Sequence, residues 1–288
     1  MAEIRRDASF VDERGVTIHY SIWDRSQPRG VVQLLHGLGE HRLRYGQLAE
    51  VLVAAGYSVW ADDHRGHGET GMAQWGGDAA RLGRLGPGGM RATVAAVRQF
   101  GELVRAASPG VPFILLGHSW GSLLAQLLLN MQPAAYDGVV LSGSAYRTIR
   151  DMNGGDLNAR HRPLGDPDYE WLSRDRSVVE AAAKDPLMFV ATALKLFGLP
   201  DTLRLLGKPR RDLVREADVP VLLQVGSDDS FGGPASVAKL AAAYRERAGL
   251  SDVTEIVYPG ARHEIYNETN RQQVYADLVA WLTERFPG

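Results

Sequence analysis

The 288-residue chain contains no cysteine, which excludes disulfides, thiolate metal sites and a cysteine nucleophile. It lacks any long run of one charge. The 32 basic and 34 acidic residues leave a formal net charge of -2, which offers no electrostatic footprint for nucleic acid or for a polybasic membrane anchor. No apolar run reaches the length that spans a bilayer, and the start, MAEIRRDASF, lacks the apolar core of a signal peptide. A soluble, cytoplasmic protein is therefore expected. No repeat of solenoid period is visible. The length suits one large α/β domain with an insertion, or two small domains, and a core that needs no covalent or metal staple; nothing in size demands a cofactor.

The chain is organised around residues 111–131, VPFILLGHSWGSLLAQLLLNM. Val111 to Leu116 is a continuous apolar run whose one proline, Pro112, sits near its start, where a ladder donor is least missed. This predicts a central parallel strand. Leu123, Leu127 and Met131 then recur at a spacing of four, with Leu124 and Leu128 beside them, which predicts a helix with a broad apolar face. Between strand and helix lies Gly117-x-Ser119-x-Gly121. A serine on such a sharp turn is presented as a nucleophile, and the glycines leave room for the neighbouring strand and helix. The Trp120 N–H, at the helix N-terminus, then faces the substrate as one oxyanion donor.

Around this stretch the chain alternates strands and helices. Val16 to Trp23, with Phe10 and Val11 before it, predicts an N-terminal antiparallel hairpin at a sheet edge. Val31 to Leu35, a helix over Tyr45 to Ala55 and a strand over Tyr57 to Ala61 form a βαβ unit. A helix over 90–107 leads to the central strand, and a strand over Gly138 to Leu141 follows it. The alternation then breaks, and it resumes with strand Val219 to Val225, helix Ser236 to Ala248, strand Glu255 to Tyr258 and helix Gln272 to Phe286. The interruption, 146–212, lacks strand signals and reads as an inserted cap on a core formed by 1–145 and 213–288. Its first part, NGGDLNARHRPLGDP, is rich in turn formers. Its second part carries Trp171, Leu172, Met188, Phe189, Leu194, Leu196, Phe197, Leu199, Leu203 and Leu206, more apolar surface than so short a segment buries within itself. Packing onto the sheet and facing a ligand are both open readings of those residues.

A serine nucleophile needs a base, and the base needs an orienting acid. Among eight histidines, His263 alone lies on a loop after the last strand and before the last helix. Asp228 and Asp229 both follow the strand at Val221 to Val225, at the edge where parallel sheets bind ligands, and Asp229 is preferred. His36-Gly37-Leu38-Gly39 follows the first parallel strand, and the Leu38 N–H is the second oxyanion donor. His36 itself reads as a brace for that loop. His64 and His67, in Asp63-His64-Arg65-Gly66-His67-Gly68, have the look of a metal pair, but no further ligands stand at a matching spacing, so the segment is read as ordering the site's loops.

These motifs resemble the monoacylglycerol lipase and lysophospholipase family of α/β-hydrolases. The likeness runs through HGLGEHRLRY at 36–45, DHRGHG at 63–68, GHSWGS at 117–122, LSGSA at 141–145, WLSRD at 171–175, DP at 185–186, GSDD at 226–229 and YPGARHEIYNE at 258–268. It implies an α/β-hydrolase fold: a mostly parallel sheet with an N-terminal antiparallel hairpin, helices on both faces and an inserted helical cap. It implies a cofactor-free and metal-free serine hydrolase of carboxylic esters, with Ser119, Asp229 and His263 as triad and Leu38 and Trp120 as oxyanion donors. It also places Glu40 and Arg44 near the leaving alcohol, where a carboxylate suits glycerol hydroxyls and repels a phosphate. The expected substrate is a small lipid ester, foremost a monoacylglycerol, met through a mobile apolar cap able to touch a membrane surface transiently. A lysophospholipase, a general carboxylesterase and an aminopeptidase are alternatives on the same fold, and a non-catalytic ligand-binding protein is the alternative from another class. The chain departs from the family at Trp120, where methionine is usual, and at Ser230 and Phe231, where small aliphatics are common.

Overall fold

The computed structural model describes residues 5–166 and 168–288. The first four residues of the charged start, and Pro167 at the end of the turn-rich stretch, lie outside the described residues. Eight strands form one sheet: β1 (Arg6–Val11), β2 (Thr17–Trp23), β3 (Gly30–Leu35), β4 (Tyr57–Asp62), β5 (Phe113–His118), β6 (Gly138–Ser142), β7 (Val221–Gly226) and β8 (Val253–Tyr258). Their order is β1-β2-β4-β3-β5-β6-β7-β8. The β1–β2 and β2–β4 pairs are antiparallel and the others parallel. The expected hairpin therefore sits at one edge of a parallel sheet. The helices are α1 (Gly46–Ala54), α2 (Gly68–Gln74), α3 (Gly89–Ala107), α4 (Trp120–Met131), α5 (Arg176–Lys184), α6 (Ala193–Arg204), α7 (Gly233–Ala242) and α8 (Arg271–Arg285).

Side-chain alternation along the buried strands builds two cores. Val31, Leu35, Leu115, Val139, Leu141, Leu223 and Val225 pack with α3, α4 and α7 on one face. Val32, Leu34, Ile114, Leu116, Val140 and Leu222 pack with α1 and α8 on the other. Because β3, β5, β6 and β7 are covered on both sides, their sequences are nearly continuous apolar runs rather than alternating. The strand order turns back between β3 and β5, so the loop after β3 and the turn after β5 emerge side by side, with Leu35 in register with Gly117.

Several boundaries differ from the sequence reading. The central strand starts at Phe113 rather than Val111, and the Phe113 N–H is tied to Asp137 Oδ2 at 2.7 Å. The buried face of α4 is formed by Leu123, Leu124, Leu128 and Leu129, while Met131, at the last residue of the helix, is 57% exposed. The helix expected over 236–248 starts at Gly233, and its α form stops at Ala242, with a π-turn over Ala243–Arg247 continuing it. Helix α2 escaped the sequence reading because Gly68 and Gly71 interrupt its pattern. Between β6 and β7 the described residues form loops, two 3₁₀ turns and the helices α5 and α6, the latter broken at Gly198.

Candidate active site

The turn between β5 and α4 has one residue, Ser119, with φ 53° and ψ -121°. For a residue other than glycine such a conformation costs about 1–3 kcal/mol and persists only where neighbours enforce it. Here the Ser119 N–H donates to Ser142 O on β6 at 2.9 Å, and Ser119 O accepts from Ser122 N–H at 2.9 Å. A Cβ at position 121 would stand 2.2 Å from Leu35 O, and one at 117 would stand 2.5 Å from Gly121 O. Only glycine fits at either place, which is the physical content of the motif.

His263 and Asp229 come from the loops after β8 and β7. The His263 Nδ1–H donates to Asp229 Oδ1 at 2.9 Å, and Asp229 Oδ1 also accepts from Phe231 N–H at 2.8 Å. That carboxylate fixes the imidazole tautomer, so Nε2 is the atom left to take a proton; it is buried and, among the described residues, has no hydrogen-bond partner. Burial is the largest influence on the His263 pKa and pulls it down. The charges of Asp229, Glu264 and Glu40, with the Asp229 hydrogen bond, outweigh it, and the net shift is upward. The Trp171 ring lies 4.6 Å from the imidazole by centroids, and Phe231 meets it edge-on at 5.7 Å. Asp228 is 44% exposed and pairs with Arg160 at 2.9 Å, away from His263. Of the two aspartates, the structure thus brings only Asp229 to the histidine.

The loop after β3 lies against the turn: a Cβ on Gly37 would stand 3.1 Å from Ser119 Cβ. Among the described residues nothing accepts a hydrogen bond from the Leu38 or Trp120 N–H, and both residues line the same cavity as Ser119 and His263. Glu40 also borders that cavity, yet its carboxylate is already occupied. Oε1 accepts from Gly37 N–H and from the Tyr45 hydroxyl, each at 2.6 Å, and Oε2 pairs with Arg44 at 3.2 Å. Arg44 does not line the cavity. Its guanidinium joins Glu40 to Glu264, at 2.5 Å, so the loop after β3 is clamped to the residue beside His263. Burial above all, and then Glu264, pushes the Glu40 pKa up, against the pull of Arg44, Tyr45 and Gly37.

The histidines of the other motifs act as braces. His36 donates from Nδ1 to Gly37 O at 2.7 Å and accepts at Nε2 from His64 N–H at 3.0 Å, which is possible only for the neutral ring. Burial first, then neighbouring His64 and His67, holds its pKa well below the ordinary value. His67 packs on Trp120 at 5.0 Å, and Trp120 packs on Phe197 at 5.4 Å.

A cavity of about 600 Å³ opens beneath the segment between β6 and β7. Of the ten apolar residues singled out there, Trp171, Leu172, Met188, Phe189, Leu194, Leu199, Leu203 and Leu206 line the cavity. Phe197 instead packs on Trp120, and Leu196 lies over Gly83. Sequence reasoning missed Glu264 and Asp185, which reaches His41 at 2.8 Å. Both stand in motifs quoted above, DP and YPGARHEIYNE, but their partners His41 and Arg44 are distant in sequence, so the motifs alone do not show what they bind.

Residues 26–270 match the hydrolase family described as serine aminopeptidase, S33. The chain is 32% identical to a monoacylglycerol lipase of Mycolicibacterium smegmatis over 98% of both chains. It is 29% identical to the human monoglyceride lipase, over 90% of this chain and 84% of that one. A thermostable carboxyl esterase from Bacillus coagulans, solved in complex with glycerol, superposes with a TM-score of 0.82 at 24% identity, over 98% of this chain and 99% of that one. At that identity the likeness speaks for the fold.

Proposed function

The chain belongs to the serine aminopeptidase S33 family of hydrolases, and from that premise we propose that it is a serine esterase releasing a fatty acid from monoacylglycerol. The observation that carries this reading is a cavity in which a strained serine, an aspartate-oriented histidine and two unpaired backbone N–H groups meet an apolar wall. His263 Nε2 takes the Ser119 proton as Oγ attacks the ester carbonyl. The Leu38 and Trp120 N–H groups hold the oxyanion, and the imidazolium returns the proton to the departing glycerol. Water then repeats the sequence on the acyl-enzyme and frees the fatty acid.

The apolar lining suits an acyl chain, and a glycerol ester is the substrate in the names of both relatives. Near the reacting centre Glu40 and Glu264 share one guanidinium, which leaves an excess of negative charge that disfavours a phosphate. Residues 146–212 serve as the cap. Ile149, Val190, Leu194, Leu199 and Leu203 are exposed and also border the cavity, so the cap meets lipid at its mouth.

The test is a substrate panel of equal acyl chains. 1-Monoacylglycerol is expected to exceed lysophosphatidylcholine in kcat/KM by about tenfold or more, equal to about 1.4 kcal/mol in transition-state binding, and aminoacyl amides are expected to be inert. Equal values, or faster release from the lysophospholipid, would remove the glycerol assignment and leave the esterase.

A further inference from the structure

Arg147 is 1% exposed, and among the described residues it forms no ion pair with a carboxylate. A buried guanidinium held by neutral groups alone is costly, and its presence asks for a reason. Its Nε donates to Gln126 Oε1 at 3.0 Å and its Nη1 to Leu205 O at 2.9 Å. Guanidinium groups only donate, so the Gln126 amide is fixed with its oxygen toward Arg147 and its NH₂ turned away. That NH₂ donates to Ser144 Oγ at 3.0 Å and to Ala145 O at 3.1 Å.

The direction of the remaining bonds follows from counting hydrogens. Ser122 Oγ lies 2.5 Å from Ser119 O, and a carbonyl only accepts, so the Ser122 hydrogen is spent there. Ser144 Oγ, 2.7 Å from Ser122 Oγ, must therefore supply its own hydrogen to Ser122 while accepting from Gln126. Gln126, Ser144 and Ser122 are each at most 1% exposed. The result is a chain of donors running one way, from a cation at its head to the carbonyl of Ser119. That carbonyl shares a peptide unit with the Trp120 N–H. Drawing electron density toward the oxygen increases the double-bond character of the C–N bond and leaves the N–H a stronger donor. Hydrogen bonds in series inside a low-dielectric core reinforce one another by about 10–30% per bond.

We propose that Arg147, Gln126, Ser144 and Ser122 form a one-way hydrogen-bond relay that polarises the Ser119–Trp120 peptide and strengthens the Trp120 N–H as an oxyanion donor. The four are positioning residues, since none touches the reacting atoms, and the inference rests on the reading of Ser119 as nucleophile and Trp120 as donor. The relay also explains why the guanidinium is tolerated without a counter-ion. A carboxylate beside Arg147 would cancel the field that the relay transmits.

Ser122→Ala and Arg147→Met test it, with a soluble short-chain ester as substrate, a trifluoromethyl ketone as the adduct that places an oxyanion in the site, and fluorophosphonate titration to count active sites. Removing an oxyanion donor outright costs about a hundredfold to a thousandfold in kcat, so weakening one should cost about tenfold. Each single variant is expected to lose that factor in kcat with KM unchanged, and to lose the same factor in affinity for the ketone. The double variant should lose no more than either single one, because both cut one relay, and Arg147→Lys, which keeps a cation, should recover most of the loss. If Arg147→Met does not fold, Ser122→Ala and Arg147→Lys carry the test. A Ser122→Ala enzyme with kcat within about twofold of the parent, a loss confined to KM, or losses that multiply in the double variant would overturn the relay. Failure of the fluorophosphonate to label Ser119 in the parent would instead overturn the reading of the site beneath it.

Discussion

Ser119 stands in a conformation that its neighbours impose, and the two aspartates that are candidates for the orienting acid are told apart by burial. Asp229 is buried and bonded to His263, whereas Asp228 is only half-buried and pairs with Arg160. Asp229→Asn should therefore lower kcat by about ten-thousandfold, as when an orienting carboxylate is lost from a triad, while Asp228→Asn should change it by less than about twofold. Steady-state kinetics on both variants gives the ranking, and the reverse order would move the acid by one residue. The upward shift of His263 sets the pH dependence. A general base must be neutral, so kcat/KM should rise with pH through a midpoint above the ordinary histidine value of about 6.5. The stability contribution runs the other way. A histidine whose folded-state pKa is raised adds stability that is full below about 6.5 and is lost as pH rises through the folded value. The enzyme should thus gain activity over the window in which it gives up that stability. A pH–rate profile that is flat from about pH 5 to 8, or has its midpoint below 6.5, would contradict the shift.

At the scale of elements, the strand–turn–helix around Ser119 was the most legible part of the chain, because periodicity changes from strand to helix across a glycine-flanked serine. Its cause is steric and testable. Gly121→Ala would drive a methyl to 2.2 Å from Leu35 O, and backbone cannot yield as a side chain would. A loss of about 3 kcal/mol is expected, read as a fall in Tm of about 6 °C or more; a Tm within about 1 °C of the parent would show that the turn relaxes freely. Element boundaries were less legible. The π-turn after α7 and the glycine-interrupted α2 depend on tertiary contacts that local propensity does not encode. The break in strand–helix alternation between β6 and β7 was legible as a change of pattern, but the division of that segment's apolar residues was not. Leu199 and Leu203 border the cavity while Phe197, in the same helix, packs on Trp120, because α6 breaks at Gly198 and a single helical period does not run through it.

Over the whole molecule, loops after β3, β5, β7 and β8 deliver the candidate residues to one edge of the sheet, and the segment between β6 and β7 lines the cavity over them. That convergence was readable from the order of strands and motifs. The clamp through Arg44 and the relay from Arg147 were not, since they join residues that meet only once the sheet is assembled. No helix among the described residues is long and apolar enough to cross a membrane, and the proposed contact with lipid is assigned to the exposed residues around the cavity mouth. The pair Leu199→Asp and Leu203→Asp should reduce hydrolysis of monoacylglycerol presented in vesicles by about tenfold and leave a soluble short-chain ester nearly unaffected; equal losses on both would place these residues in packing rather than in lipid contact. The central claim, an acyl-enzyme at Ser119 on the path from monoacylglycerol to fatty acid, is tested most directly by covalent titration. The protein is treated with increasing fluorophosphonate, the adduct is located by peptide mass, and fatty-acid release from 1-monoacylglycerol is measured on the same samples. The account predicts one label per chain, on the peptide carrying Ser119, with activity falling in proportion and reaching zero at full labelling. Labelling at another residue, or release that persists when Ser119 is fully modified, would contradict it.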